Sequence, residues 1–181
     1  MRLESRLPDI VTLQPRVFRD DRGFFLELAN RQTLRQFGID AEFVQDNLSR
    51  SGRGTVRGLH YQIEQAQGKL VTVLAGRVLD VAVDMRRSSP TFGQSETIEL
   101  DDQSRRMVYV PPGFAHGFCV LSETADFLYK CTDYYAPQHE RSVRWDDPDL
   151  AIEWPESIAA DPILSAKDEQ APEFRVAETY A

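Results

Sequence analysis

The sequence predicts an all-β domain, a sandwich or barrel of antiparallel strands with a few short helices gathered mainly near the C-terminus. Three observations carry this. Short runs rich in aromatic and β-branched residues recur along most of the chain at near-regular spacing. Gly or Pro punctuates the joins, at Gly68, Gly76, Pro90, Gly93 and Pro111-Pro112-Gly113. Strict alternation, the period of a pleated strand, is clearest in Val78-Leu79-Asp80-Val81-Ala82-Val83-Asp84, where Leu79, Val81 and Val83 share a face.

In chain order the strand-like runs are 23–28, 43–48, 56–62, 69–74, 77–84, 97–100, 107–110, 118–121 and 125–135. Two segments read as helical. Residues 31–37 follow Asn30, a good N-cap, with Leu34 and Phe37 three apart. After Trp154-Pro155 the chain turns acidic and Ala-rich, and Ser165-Ala166-Lys167-Asp168 has the form of a capping box opening a short helix. No internal repeat or linker interrupts the pattern. The expectation is one domain over 1–181, with a barrel core at about 40–145 and a C-terminal helical flap at about 155–181.

Composition narrows the function classes. Hydrophobic residues make up 41% and charged residues 28% of 181 residues, enough apolar material for a sizeable core. A net charge of −8 and a pI near 4.9 argue against a nucleic-acid-binding surface, so any phosphate-bearing ligand needs locally gathered basic groups. The first ten residues carry charges and a proline where a signal peptide needs an apolar run, and no stretch approaches a membrane span of about 20 apolar residues. Cys119 and Cys131 lie in apolar runs and read as buried, reduced thiols of a cytoplasmic protein.

Several residues have the chemistry of a site. His60 sits within Arg57-Gly58-Leu59-His60-Tyr61-Gln62, and a Pro111-Pro112-Gly113 turn delivers His116 to the start of a strand. Taken singly, a barrel histidine of this kind is more often a packed residue than a catalyst. Barrels that bind metal usually offer two histidines one residue apart, both pointing inward; this chain has no such pair, so no metal site is expected. Tyr129 alternates in phase with Phe127 and Cys131 and is either core filler or a proton donor. Lys69 is in phase with Val71 and Val73, an inward position that is costly without an anionic partner unless the side chain simply reaches solvent. Gln45 and Asn47 share one strand face, and Arg22 and Glu27 flank Gly23-Phe24-Phe25-Leu26; taken alone, this group reads as polar residues on an outer face. Alternation puts Arg57 and His60 on opposite faces of one strand unless Gly58 hosts a bulge.

Taken in order, a set of motifs resembles the dTDP-4-dehydrorhamnose 3,5-epimerase family, cupin-type jelly-roll barrels acting on thymidine-diphosphate-linked 4-keto sugars. They are Phe18-Arg19-Asp20-Asp21-Arg22-Gly23-Phe24-Phe25, Gln45-Asp46-Asn47-Leu48-Ser49, Val56-to-Gln62 and Gln67-Gly68-Lys69-Leu70-Val71. Ser89-Pro90-Thr91-Phe92-Gly93, Pro111-to-Phe118, Tyr129-Lys130, Tyr134-Tyr135-Ala136-Pro137, Trp145-Asp146-Asp147-Pro148 and Ile152-Glu153-Trp154-Pro155 complete the set. The resemblance implies that His60 is the general base and Asp168 its orienting partner, with Tyr129 the acid on the opposite face of the sugar and Lys69 stabilising the enolate. It places His116 close to the same pocket. It assigns Arg22, Glu27, Gln45, Asn47, Arg57 and Tyr135 to nucleotide or diphosphate contacts, Glu140 to substrate binding and Phe25 to stacking on the base. It further implies a homodimer with exchanged N-terminal strands, some nucleotide contacts from the partner subunit, and no cofactor. The loop between His60 and Lys69 is a residue shorter than is common in the family.

The expected reaction is inversion of C3 and C5 of dTDP-4-dehydro-6-deoxy-D-glucose, giving dTDP-4-dehydro-L-rhamnose. Its rivals are a relative inverting one centre, a non-catalytic nucleotide-sugar binder and a metal-dependent oxygenase.

Overall fold

The structure is a computed structural model describing residues 1–181. In chain order the first strands are β1 (Arg2–Leu3), β2 (Val11–Leu13), β3 (Val17–Asp20) and β4 (Gly23–Leu26), followed by helix α1 (Arg31–Gln36). Then come β5 (Gln45–Gly52), β6 (Val56–Gln62), β7 (Lys69–Ala75), β8 (Arg77–Asp84) and β9 (Ser95–Asp101). The remaining elements are β10 (Met107–Val110), β11 (Phe114–Val120), β12 (Thr124–Cys131), β13 (Glu140–Ser142), α2 (Glu156–Ala159) and α3 (Ala166–Glu169).

Two antiparallel sheets face each other. One has six strands in the order β1-β2-β10-β7-β12-β5 and the other five in the order β13-β6-β11-β8-β9. Between them lies a core of Val71, Val73, Val78, Ala82, Phe114, Phe118 and Phe127, closed by Leu7 and Ile10 from the loop joining β1 and β2. The β3–β4 hairpin belongs to neither sheet.

Alternation along β8 explains the layering. Val78 and Ala82 point into the barrel, while Val81 and Val83 point outward. The outward face is not solvated: Leu59, Tyr61, Val143, Leu150 and Ala177 bury it under the C-terminal segment. Leu79 packs against a neighbouring cluster with Val56, Cys119, Trp145 and Ile158. Backbone bonds hold this cover down, from Tyr180 N–H to Met85 O at 3.0 Å and from Arg144 N–H to Pro172 O at 2.9 Å. The C-terminal residues therefore wrap the five-stranded sheet and bring α3 to the edge of β6.

Some expected bounds shift. The run at 43–48 pairs instead as β5, extending to Gly52, because Leu48, Ser49, Ser51 and Gly52 all find partners on β12. His116 lies in the middle of β11, not at a strand start, since Phe114 and Ala115 already pair with Asp84 and Val83. The run at 125–135 ends as a strand at Cys131, which leaves Tyr135 in a loop. Strands β1, β2, β3 and β13 and helix α2 are too short to show a period in sequence. Asn30 caps α1 as expected, its Oδ1 accepting from Gln32 N–H at 2.9 Å.

Candidate active site

The site depends on an irregularity in β6. Pairing with β11 sets His116 opposite His60 but Phe118 opposite Arg57, so three steps on β6 match two on β11. This is a bulge at Gly58, whose φ is +127°. A Cβ on Gly58 would lie 2.6 Å from Gly117 Cα, and one on Gly117 would lie 2.6 Å from Arg57 O. Two glycines facing each other thus allow what a regular strand forbids. Arg57 and His60 line one cavity of about 530 Å³ between the sheets.

His60 Nε2 lies 2.6 Å from Asp168 Oδ1 on α3, while Ser165 Oγ donates to Asp168 Oδ2 at 2.8 Å. The capping box is half made: Ser165 Oγ accepts from Asp168 N–H at 3.2 Å, but the carboxylate serves His60 and the serine hydroxyl. Asp168 is only 3% exposed. Burial alone would raise its pKa, yet the hydrogen bonds from His60 and Ser165 outweigh it and hold the carboxyl below its ordinary value. The pair can take up a proton as an imidazolium with its counter-charge already in place.

Lys69, at the start of β7, sits in the cavity wall. Loss of water lowers its pKa; the nearby Cys131, Asp80 and Glu140 act in the opposite sense. No side chain of the protein occupies its ammonium, so it is free for a ligand oxygen. Tyr129 on β12 also lines the cavity, and burial raises its phenol pKa. On the remaining wall His116 Nε2 lies 2.8 Å from Asp80 Oδ1, and both residues are buried. Arg57 Nε donates to Ser51 Oγ at 2.9 Å.

An adjoining cavity of about 330 Å³ shares His60, Lys69 and Tyr129 as walls and adds Gln45, Asn47, Tyr135 and Glu140. Gln45 Nε2 donates to Asn47 Oδ1 at 3.0 Å, and Gln45 Oε1 accepts from Tyr135 N–H at 2.9 Å. The Tyr135 hydroxyl donates to Glu140 Oε2 at 2.8 Å, and Lys167 Nζ lies 2.5 Å from Glu140 Oε1. Burial would raise the Glu140 pKa, but Lys167 and Tyr135 bring it below its ordinary value.

Ten of the thirteen residues singled out from sequence therefore meet in one connected cleft: His60, Lys69, Tyr129, Asp168, Arg57, His116, Gln45, Asn47, Tyr135 and Glu140. Arg22, Phe25 and Glu27 do not. They lie on or just after the β3–β4 hairpin, where Arg22 pairs with Asp20 and is 90% exposed, and Glu27 accepts from Asn30 Nδ2 at 3.2 Å. Phe25 is 69% exposed. Sequence reasoning missed Asp80, Lys167 and the cavity-lining Ser49, whose buried hydroxyl has no partner. The signal for Asp80 was its phase with Val78 and Ala82, a carboxylate on the core face. No three His, Cys, Asp or Glu side chains are grouped so as to hold a metal ion.

A jelly-roll barrel whose cavity joins an imidazole–carboxylate pair, a free half-buried ammonium and a phenol is the frame of an acid–base isomerase. The chain belongs to the dTDP-4-dehydrorhamnose 3,5-epimerase family, whose sequence profile matches residues 4–176. It is 54% identical to the dTDP-4-dehydrorhamnose 3,5-epimerase of Pseudomonas aeruginosa over 96% of each chain. Among solved structures it is similar to a Legionella pneumophila dTDP-6-deoxy-D-glucose-3,5-epimerase in complex with dTDP-4-keto-L-rhamnose. That likeness has 47% identity and a TM-score of 0.93 over 97% of this chain and 93% of that one. It is also similar to a 3′-monoepimerase from Streptomyces bikiniensis in complex with dTDP-quinovose, at 38% identity and a TM-score of 0.86, over 92% of this chain and 84% of that one.

Proposed function

We propose that the protein inverts C3 and C5 of dTDP-4-dehydro-6-deoxy-D-glucose to give dTDP-4-dehydro-L-rhamnose. The observation that carries this reading is the presence of His60, Lys69 and Tyr129 on the walls of one cleft, with His60 already bonded to Asp168. A C–H beside a ketone is acidic because its electron pair moves onto the carbonyl oxygen as an enolate. His60 takes that proton, and Asp168 offsets the imidazolium charge. Lys69 faces the developing oxyanion, where a fixed cation is commonly worth about 10²- to 10³-fold in rate. Tyr129 gives a proton to the same carbon from the opposite face, and burial keeps the phenol protonated for that step. Exchange with water returns the proton of His60 and reprotonates Tyr129, so the atoms balance without a co-reactant. Both carbons flank one ketone, so a second round inverts the other.

The diphosphate and nucleoside fall to Arg57, Gln45, Asn47, Tyr135 and Glu140 in this reading. Arg22, Phe25 and Glu27 reach the cleft of a second subunit. Support comes from the hairpin itself: a two-stranded ribbon outside both sheets is marginal alone, and Phe18, Phe24 and Phe25 stand exposed on it. The protein is thus read as a homodimer with this N-terminal arm exchanged. No helix is long and apolar enough to cross a membrane. Two free buried cysteines suit a reducing cytoplasm.

The test is proton NMR of the 4-keto sugar with the enzyme in deuterated water, with a coupled reductase assay run with and without chelator. Label at both C3 and C5, insensitive to chelator, is the expected result. Label at one carbon means a mono-epimerase, and tight binding without label means a non-catalytic binder.

A further inference from the structure

The cleft contains a second imidazole–carboxylate pair that the mechanism above leaves without a role. Asp80 enters the barrel from β8 between Val78 and Ala82, both part of the apolar core. It is 1% exposed. A carboxylate so placed costs several kcal/mol unless it is paired. Its one close partner is His116, with Nε2 2.8 Å from Oδ1. The His116 ring is also stacked on Phe127, with centroids 6.1 Å apart and planes 25° apart. One ring edge is tied to a carboxylate and one ring face to an aromatic, so the remaining edge is held in a fixed direction. His116 is part of the wall of the cavity that holds His60, Lys69 and Tyr129. Asp80 also acts on the Lys69 ammonium through space, in the sense that keeps it charged.

We propose that Asp80 is a positioning residue for the oxyanion end of the cleft: it orients His116 and supplies a counter-charge for the Lys69 ammonium facing the ketone oxygen. This rests on the epimerase reading above and deepens it. The distinction from the His60–Asp168 pair is stereochemical. His60 and Tyr129 work at one carbon at a time, on opposite faces of the ring. The enolates formed by deprotonating C3 or C5 place their charge on the same oxygen, so a group serving that oxygen contributes equally to both. Removing Asp80 must therefore slow the two centres together.

The experiment compares the full-length wild type with D80N and D80A. It reads deuterium entry at C3 and at C5 of the 4-keto sugar, dTDP affinity and thermal melting. D80N retains an oxygen to accept from Nε2–H and loses only the charge; D80A loses both. Expected for D80N is a loss of about 10- to 100-fold at each carbon, with the C3:C5 ratio and the dTDP Kd both within about twofold of wild type. D80A, where it folds, is slower again, and D80N alone decides the matter where it does not. Exchange in D80N within about threefold of wild type, slowing at one carbon only, or a matching loss of dTDP affinity each overturns the proposal. A wild type that labels neither carbon overturns the epimerase reading itself, and this proposal with it.

Discussion

Replacing Asp168 with Asn tests the base most directly. The Asp168 carboxylate is buried, lies 2.6 Å from His60 Nε2 and accepts from Ser165 Oγ at 2.8 Å. Asn has the same shape, can present its oxygen to Nε2–H, and can donate its amide to Ser165 Oγ after that hydroxyl rotates. The ring orientation, the tautomer and the Ser165 cap on the Asp168 backbone N–H all survive. Only the negative charge is lost. A hydrogen bond to a charged group contributes about 1.5–3 kcal/mol, and here that contribution is largest when His60 holds the abstracted proton. Converted to rate, D168N lowers kcat by about 10- to 150-fold while KM and the dTDP Kd move by less than about twofold. The assay is deuterium entry at C3 and C5 together with the reductase-coupled rate, and circular dichroism melting checks the fold. A kcat within about threefold of wild type, or a loss confined to KM, refutes the assignment of His60–Asp168 as the base.

Y129F removes the second proton carrier and leaves the aromatic wall. It should suppress net inversion by at least about 10²-fold while wash-out of deuterium from labelled substrate, which needs only the base, falls by less; equal losses would contradict its role as acid. For the arm exchange proposed above, R22A and H60A are each expected to be nearly inactive. Mixing them 1:1 with subunit exchange should restore about one quarter of wild-type activity, because each hybrid dimer has one intact cleft. No recovery on mixing would place Arg22 outside its neighbour's site. Away from the site, Asp84 is fully buried beside Arg86, Ser89 and Thr91. Burial would raise its pKa, but the bonds from Arg86, Ser89 and Thr91 outweigh it and bring it down to about 2. A depressed carboxyl stabilises the fold above its unfolded value of about 3.9, and that contribution, about 2 kcal/mol, is lost as pH falls toward 2. D84N should lose a comparable stability at pH 7 in urea titrations, with the gap to wild type closing in acid; a constant gap from pH 6 to pH 2 would contradict this.

Much of this was legible in residues taken in order. Period-two patterning exposed most of the strands, Asn30 marked the start of α1, and Lys69 and Tyr129 showed their inward phase through Val71, Val73 and Phe127. These are local properties, fixed by neighbours one to four places away, and a linear reading can recover them. A bulge at Gly58 was legible as the condition for bringing Arg57 and His60 to one face, but the part played by Gly117 was not. Each glycine is required by the other's backbone across a strand pair, and that contact turns Arg57 and His60 toward one cavity. Asp168 looked like a helix cap in sequence and is one only in part, because His60, 108 positions earlier, claims its other oxygen. Asp80 was passed over because alternation says which residues share a face but not which face is the core. In β8 both faces are buried, one by the barrel and one by the C-terminal wrap. Long-range closure, with its choice of inside and outside, assembled the site from parts the sequence had already supplied.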